Sequence, residues 1–113
     1  MINIDTVVEN GVATLKLRGD VDASSSIDLD NAISNTKNAG HKKILIDAVE
    51  LNYISSAGLG VFMSYIKDFE KEGIKLVLFG LNEKVLNVFT MLGLDQLLSI
   101  ASNEADAQKL INA

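Results

Sequence analysis

Residues 43–60 have the sequence KILIDAVELNYISSAGLG, in which an apolar run leads through two serines into a segment with two glycines. The run Lys43-Ile44-Leu45-Ile46-Asp47 is typical of a strand buried on both faces, which predicts a central position in a parallel sheet. A helix is expected to follow from about Ala57 to Glu72, where apolar residues recur at helical spacing. Ser55 and Ser56 therefore mark a predicted strand-to-helix junction.

The rest of the chain alternates between strand and helix patterns. Asn10-Gly11 joins two alternating runs and predicts a hairpin, because a type I′ turn needs positive φ at two residues. Strands separated by helices need crossover connections, so the later strands are predicted to be parallel. The expected fold class is α/β, a single domain over residues 1–113 with a mixed, mostly parallel sheet of about five strands, an N-terminal hairpin and about four helices. The predicted strands are Ile2–Glu9, Val12–Arg18, Lys43–Asp47, Lys75–Gly80 and Gln96–Ile100, and the predicted helices run from Ser24 to about Asn38, from Ala57 to Glu72, from Glu83 to Leu92 and from Glu104 to Ile111.

Each predicted helix has an apolar stripe that is expected to face the sheet. At the start of the first helix, Ser25 and Asp28 have the spacing of a capping box. The residues expected to face inward are Ile27, Ala32, Ile33 and Thr36 in the first helix, Leu59, Phe62, Ile66 and Phe69 in the second, Val85, Phe89 and Leu92 in the third, and Ala107, Leu110 and Ile111 in the fourth.

Composition limits the classes of function. The net charge is −5 and the lysines are scattered, which argues against a nucleic-acid binder, since such proteins need a basic patch. With no cysteine, neither a disulfide framework nor a thiolate metal site is expected, and no other metal or cofactor site is predicted. The N-terminal residues lack the pattern of a signal peptide, and no apolar run reaches the roughly 20 residues of a membrane span. The cytoplasm is therefore the expected location.

The serine pair at the junction lacks the groups that would make a serine a nucleophile. The one histidine, His41, belongs to a different loop, and the pattern Gly-x-Ser-x-Gly is missing. Gly58-Leu59-Gly60 has no third glycine and is not a dinucleotide fingerprint. A helix N-terminus does accommodate a phosphate, because of its unpaired N–H groups and its partial positive charge. These features predict a binding protein whose serine carries a phosphate rather than an enzyme.

The residues after the serines favour a contact surface. Serine is a preferred N-cap, so helix capping is the structural alternative at this position, but capping needs only one of the two. Gly58 and Gly60 in the first turns weaken the helix, and such glycines commonly allow another backbone to approach closely. Met63 lies off the inward stripe of its helix, as does Val61; exposed apolar residues there suit a docking face, and filling gaps in the core is the structural alternative.

Two aspartates are expected near the serines. Asp20 and Asp22 follow the second strand, at the sheet edge where the Ser55-Ser56 junction is also predicted. A polar rim that orients a partner is the functional interpretation, and a turn with helix capping is the structural one. Asp47 lacks the acidic pair and lysine that a phospho-accepting aspartate would need.

Over essentially its whole length, the chain resembles the STAS domain, and within it the bacterial anti-sigma factor antagonists. The serine motif is the specific part of the resemblance. The matching segments are Leu17-Arg18-Gly19-Asp20-Val21-Asp22, Ile44-Leu45-Ile46-Asp47, Tyr53-Ile54-Ser55-Ser56-Ala57-Gly58-Leu59-Gly60 and Leu76-Val77-Leu78-Phe79-Gly80.

The resemblance implies regulation by partner switching. An unphosphorylated antagonist binds an anti-sigma factor that is also a serine kinase, phosphorylation ends the binding, and a metal-dependent serine phosphatase restores it. The phospho-acceptor of the family falls on Ser56. The residue before it is commonly aspartate and here is Ser55, which leaves Ser55 as the alternative acceptor. The partner-binding residues implied in this way are Asp20, Asp22, Ser55, Ala57, Gly58, Leu59, Gly60 and Met63.

Two other classes of function compete with this interpretation. One is a STAS subunit of a transport or sensory assembly, in which Ser56 is never phosphorylated and only caps its helix. The other is a small α/β enzyme or nucleotide binder.

Overall fold

Strands and helices alternate along the chain in the computed structural model, which describes residues 2–113. The first two strands pair antiparallel, the other neighbours pair parallel, and the sheet order is the order of the chain. The predicted fold class, α/β with a hairpin and a mostly parallel sheet, is confirmed. The elements are β1 (Ile2–Glu9), β2 (Val12–Val21), α1 (Ser26–Asn38), β3 (Lys43–Ile54), α2 (Ser56–Glu72), β4 (Lys75–Phe79), α3 (Glu83–Met91), a 3-10 turn (Leu94–Gln96), β5 (Ser99–Ala101) and α4 (Glu104–Ile111).

The hairpin between β1 and β2 has the predicted two-residue turn. Asn10 and Gly11 have φ of 53° and 78°, the two positive values that a type I′ turn requires. The flanking residues Glu9 and Val12 face each other in the antiparallel register. The turn therefore fixes which residues of β1 pair with β2.

The sheet separates two apolar layers. Alternating residues of β3 point to opposite faces, and Ile44, Leu45 and Ile46 are all fully buried, which confirms the predicted central strand. On one face the sheet packs against α1, α2 and α3, whose largest buried side chains include Phe62 and Phe89. On the other face a smaller cluster packs against α4 alone.

β2 and β3 are longer than predicted. We expected β3 to end at Asp47, yet it continues to Ile54, because β2 also continues and pairs Asp20 with Tyr53 and Val21 with Ile54. β4 ends opposite Asp47, so this extension of β3 has a strand on one side only. Two register shifts in the β2–β3 ladder disturb the simple alternation, which is why the sequence pattern did not indicate the extension.

Several residues expected to face inward are exposed. Ile27 is exposed, and Leu29 takes its place in the core, because α1 begins at Ser26 and its buried face follows the positions 26, 29, 33 and 36. Leu92 lies beyond the end of α3, and Leu110 is rotated about one residue from the buried face of α4.

The last strand is also displaced from its predicted range. Gln96 belongs to the 3-10 turn, and β5 contains only Ser99, Ile100 and Ala101. Gly93, at φ 72°, separates α3 from this turn and confirms the predicted end of the helix.

Replacing Phe89 by alanine is expected to lower the free energy of unfolding by about 3–5 kcal/mol, because the ring is fully buried and its removal leaves a cavity. The matched control is Met91→Ala in the same helix. Met91 is 83% exposed, so its substitution should change stability by no more than about 0.5 kcal/mol. Urea denaturation of both variants makes the comparison. Equal losses would contradict the assigned core.

Candidate functional site

The junction between β3 and α2 is fixed through Ser55. Ser55 is the N-cap of α2, with extended backbone (φ −82°, ψ 170°), and its Oγ accepts the N–H of Gly58 at 3.3 Å. Its own N–H donates to the carbonyl oxygen of Val21 at 2.7 Å. Ser55 thus ends the β2–β3 ladder and begins the helix in one residue.

Ser56 is the first residue of α2, and its side chain is exposed. Because Ser55 already supplies the cap, the structural alternative of capping does not apply to Ser56. Of the four N–H groups that a helix start leaves without intrahelical partners, those of Ser55 and Gly58 are engaged in the bonds above. The N–H groups of Ser56 and Ala57 lie at exposed residues, next to the Ser56 hydroxyl.

The two glycines of the motif have different roles. Gly58 is buried, and a Cβ there would lie 2.7 Å from Cγ1 of both Val21 and Ile54. Its close approach is therefore to its own sheet, which corrects the expectation that Gly58 contacts a partner. Gly60 is exposed, and a Cβ there would meet nothing within 4 Å. Leu59 is a core residue that is only 2% exposed, so it also lies outside the candidate surface.

Alanine substitution of the two glycines is expected to change stability in opposite directions. Gly58→Ala should lower the free energy of unfolding by about 1–3 kcal/mol, because Val21 or Ile54 must shift to admit the new methyl group. Gly60→Ala should raise it by about 0.5–1 kcal/mol, since alanine is the better helix former and the space is open. Chemical denaturation measures both. A stabilising Gly58→Ala would refute the internal packing role.

Exposed residues of α2 continue from Ser56 along one side of the helix. Ser56, Gly60 and Met63 are at positions i, i+4 and i+7, which share a helix face, and Met63 is 50% exposed. Ala57 is exposed beside them. Tyr53, the second-last residue of β3, is 51% exposed and was not predicted as a site residue. An aromatic residue two positions before the serine pair is visible in the sequence, but its exposure is visible only in the structure. We call Ser56, Ala57, Gly60 and Met63 the Ser56 surface.

The structure places Asp20 at the same end of the sheet as the serine motif. Asp20 pairs with Tyr53 across β2 and β3 and is exposed, so the predicted proximity of the two strand ends is confirmed. His41 lies before β3, at the opposite end of the strand from Ser56, and so is too far away to act as a base for that hydroxyl.

Asp22 organises the loop between β2 and α1. Its Oδ1 accepts the N–H of Ser25 at 2.8 Å and the hydroxyls of Ser24 and Ser25, each at 2.9 Å. These hydrogen bonds, led by that from the Ser25 backbone, hold the pKa of the Asp22 carboxyl well below its usual range. The structural interpretation of Asp22, a turn that supports a helix start, is therefore the one that the geometry supports.

The predicted capping box of α1 is wrong. Ser25 occupies the N-cap position, but its hydroxyl makes no cap. It donates instead toward the Asp20 carbonyl at 3.1 Å and toward the Asp22 carboxylate, and it accepts the Asp22 N–H at 2.8 Å. Asp22 thus takes the hydrogen bonds of the Ser25 hydroxyl that a capping box would need, and Asp28 makes no bond to Ser25.

The Asp22 hydrogen bonds predict a dependence of stability on pH. A carboxyl whose pKa is lowered by folding stabilises the protein above its unfolded pKa, here near 3.8, and the effect is lost as the pH falls through the folded pKa. Asp22→Asn keeps the shape and removes the charge. The wild type should therefore be more stable than Asp22→Asn at about pH 6, and the gap should narrow toward about pH 2. Urea midpoints measure the gap, and a gap independent of pH would contradict this role.

The fold and the serine motif at a strand-to-helix junction agree with a comparison of the chain with known protein families. The model of the STAS domain family matches residues 3–107. The chain belongs to the STAS domain family.

Relatives and solved structures carry related names. An anti-sigma-B factor antagonist of Listeria monocytogenes is 30% identical over 88 residues, which is 78% of this chain and 77% of that protein. An anti-sigma factor antagonist from Mycobacterium paratuberculosis has a similar structure, with a TM-score of 0.91, 18% identity and coverage of 100% of this chain and 96% of that one. The Bacillus cell fate determinant SpoIIAA in its phosphorylated form has a TM-score of 0.71 and 18% identity, covering 97% of this chain and 99% of that one.

None of the helices within residues 2–113 has the length and apolar character needed to cross a membrane.

Proposed function

We propose that this protein is an anti-sigma factor antagonist that acts by partner switching. In its unphosphorylated form it binds an anti-sigma factor that is also a serine kinase, and this binding releases the sigma factor. Phosphorylation of Ser56 ends the binding. A metal-dependent serine phosphatase removes the phosphate and restores the antagonist. The protein then acts in the cytoplasm, where transcription takes place.

The observation that carries the proposal is that the two serines have different roles: Ser55 caps the helix and Ser56 is exposed. Ser55 makes the N-cap bond to Gly58 and the ladder bond to Val21, whereas Ser56 is exposed one residue later. A kinase can modify Ser56 without disturbing the cap. The name of the Listeria relative, anti-sigma-B factor antagonist, supports the choice of partner class.

Phosphate at Ser56 would change the Ser56 surface mainly through charge. A phosphoserine adds about −1.5 to −2 charges at neutral pH, which must stay hydrated or paired. The helix N-terminus offsets part of this charge within the free domain. A partner that packs against Gly60 and Met63 would instead have to desolvate it, and each 1.4 kcal/mol of that cost is about tenfold in affinity. Binding is therefore lost while the fold persists.

The partner-binding residues of the proposal follow from exposure. Ala57, Gly60, Met63 and Asp20 are exposed around Ser56 and can contact a partner directly. The remaining motif residues act through the domain itself: Gly58 and Leu59 are buried, Ser55 caps α2, and Asp22 shapes the adjacent loop.

The test is phosphorylation by the cognate anti-sigma factor kinase with ATP, followed by intact-mass measurement. The wild type should gain one phosphate, and Ser56→Ala should gain none. Ser55→Ala should still be phosphorylated, although it loses the cap and about 0.5–2 kcal/mol of stability. Labelling of Ser56→Ala with loss of labelling in Ser55→Ala would assign the acceptor to Ser55 instead.

Binding to the anti-sigma factor, measured by calorimetry, separates this proposal from a role as a STAS subunit that is never phosphorylated. Ser56→Asp should weaken binding by at least about tenfold, whereas Ser56→Ala should leave it within about twofold. Unchanged binding of Ser56→Asp would favour the unphosphorylated subunit.

A further inference from the structure

A groove runs along the free edge of the sheet, and none of its lining residues belongs to the Ser56 surface. Its volume is about 540 Å³, and it lies between β1 and α1. From the strand it is lined by Ile2, Ile4 and Thr6, and from the helix by residues that include Asn31, Ala32 and Asn35. Alternate strand residues thus face one side of a helix across an open channel.

The backbone beside this groove is free to bind another strand. β1 is at the edge of the sheet, with β2 as its neighbour. In a two-residue hairpin the residues next to the turn, Glu9 and Val12, form a hydrogen-bonded pair, and such pairs alternate along the ladder. The N–H and C=O groups of Ile4, Thr6 and Val8 therefore point away from β2. An extended peptide can pair with them while its alternate side chains enter the groove.

The acidic side chains of β1 indicate which kind of strand would bind beside it. The strand β1 carries Asp5 and Glu9 but no lysine or arginine, and these two carboxylates lie on the face of the sheet opposite the groove, whose own lining includes Asp28 and His41. Two cations lie on the neighbouring strand: Lys16 faces Asp5 in the register and pairs with Glu50 at 3.6 Å, and Arg18 pairs with Asp5 and with Glu50, each at 3.4 Å. Pairing β1 with β1 of a second copy would bring acidic strands together, which is unfavourable. A basic strand would instead face complementary charge.

We propose that the groove between β1 and α1 binds an extended, basic segment of a partner protein, which adds to the sheet as a sixth strand against β1. Apolar side chains of the segment enter the groove over Ile4 and Ala32. The alternate lysine or arginine side chains lie on the opposite face of the sheet, beside Asp5 and Glu9. This site is separate from Ser56 and does not depend on phosphorylation.

The experiment uses a capped eight-residue peptide of alternating lysine and valine with the full-length protein, followed by NMR. The peptide is expected to bind with a dissociation constant below about 1 mM, and to slow amide exchange at Ile4, Thr6 and Val8 by at least about tenfold. An alternating glutamate–valine peptide should bind at least about tenfold more weakly. The proposal would be overturned by a dissociation constant above about 1 mM for the lysine–valine peptide. It would also be overturned if the acidic peptide bound equally well, or if binding left the exchange of these amides unchanged.

A matched pair of variants locates the site. Asn31 and Asn38 are both exposed on α1, but only Asn31 lines the groove. Asn31→Arg should weaken binding of the lysine–valine peptide by at least about tenfold, and Asn38→Arg should change it by less than about twofold. Equal effects would contradict the assigned groove. Ser56→Asp should bind the peptide like the wild type, which keeps this test independent of the proposed phosphorylation.

Discussion

The contact of Gly58 with Val21 and Ile54 is the constraint on which the functional end of the molecule depends. It lets the first turn of α2 lie directly on the last residues of β2 and β3, at a distance that no side chain on position 58 would permit. The ladder bond from Ser55 to Val21 and the cap bond to Gly58 then lie within the same few residues. Strand ends and helix start thus form one rigid corner.

This corner determines what the neighbouring residues can do. Ser55 caps α2 and Gly58 packs against the sheet, whereas Ser56, Ala57 and Gly60 are exposed on the surface of the domain. These three residues are therefore available to contact a partner. The Asp22 loop supports the start of α1 nearby and leaves Asp20 exposed. A surface of small residues on a rigid support suits a binding site that is altered by a single added group.

Much of this arrangement could be predicted from the sequence, and the failures have physical causes. The turn at Asn10-Gly11, the central strand and the Ser55-Ser56 junction were predicted because each depends on local chemistry or on a continuous apolar run. The extension of β3 was not, since it is stabilised by pairing with β2 across shifted registers. The role of Gly58 was misjudged because sequence shows that a glycine permits close approach but not which neighbour approaches. Tyr53 was missed because its exposure depends on where β3 ends.

The order of strands in the sheet is the order of strands in the chain, and this has a consequence for how the protein folds. Each strand pairs with the one made just before it, so no strand must wait for a distant segment in order to find its neighbour. The hairpin is the local pairing, whereas the partners in the parallel pairs are 22 to 33 residues apart, so the hairpin is expected to form first and the parallel pairs more slowly. The sheet can grow from the hairpin outward during synthesis, with β5 and α4 added last. The strands and the helix that meet at Ser55 all precede β5 and α4 in the chain, so they are available to pack before that final addition.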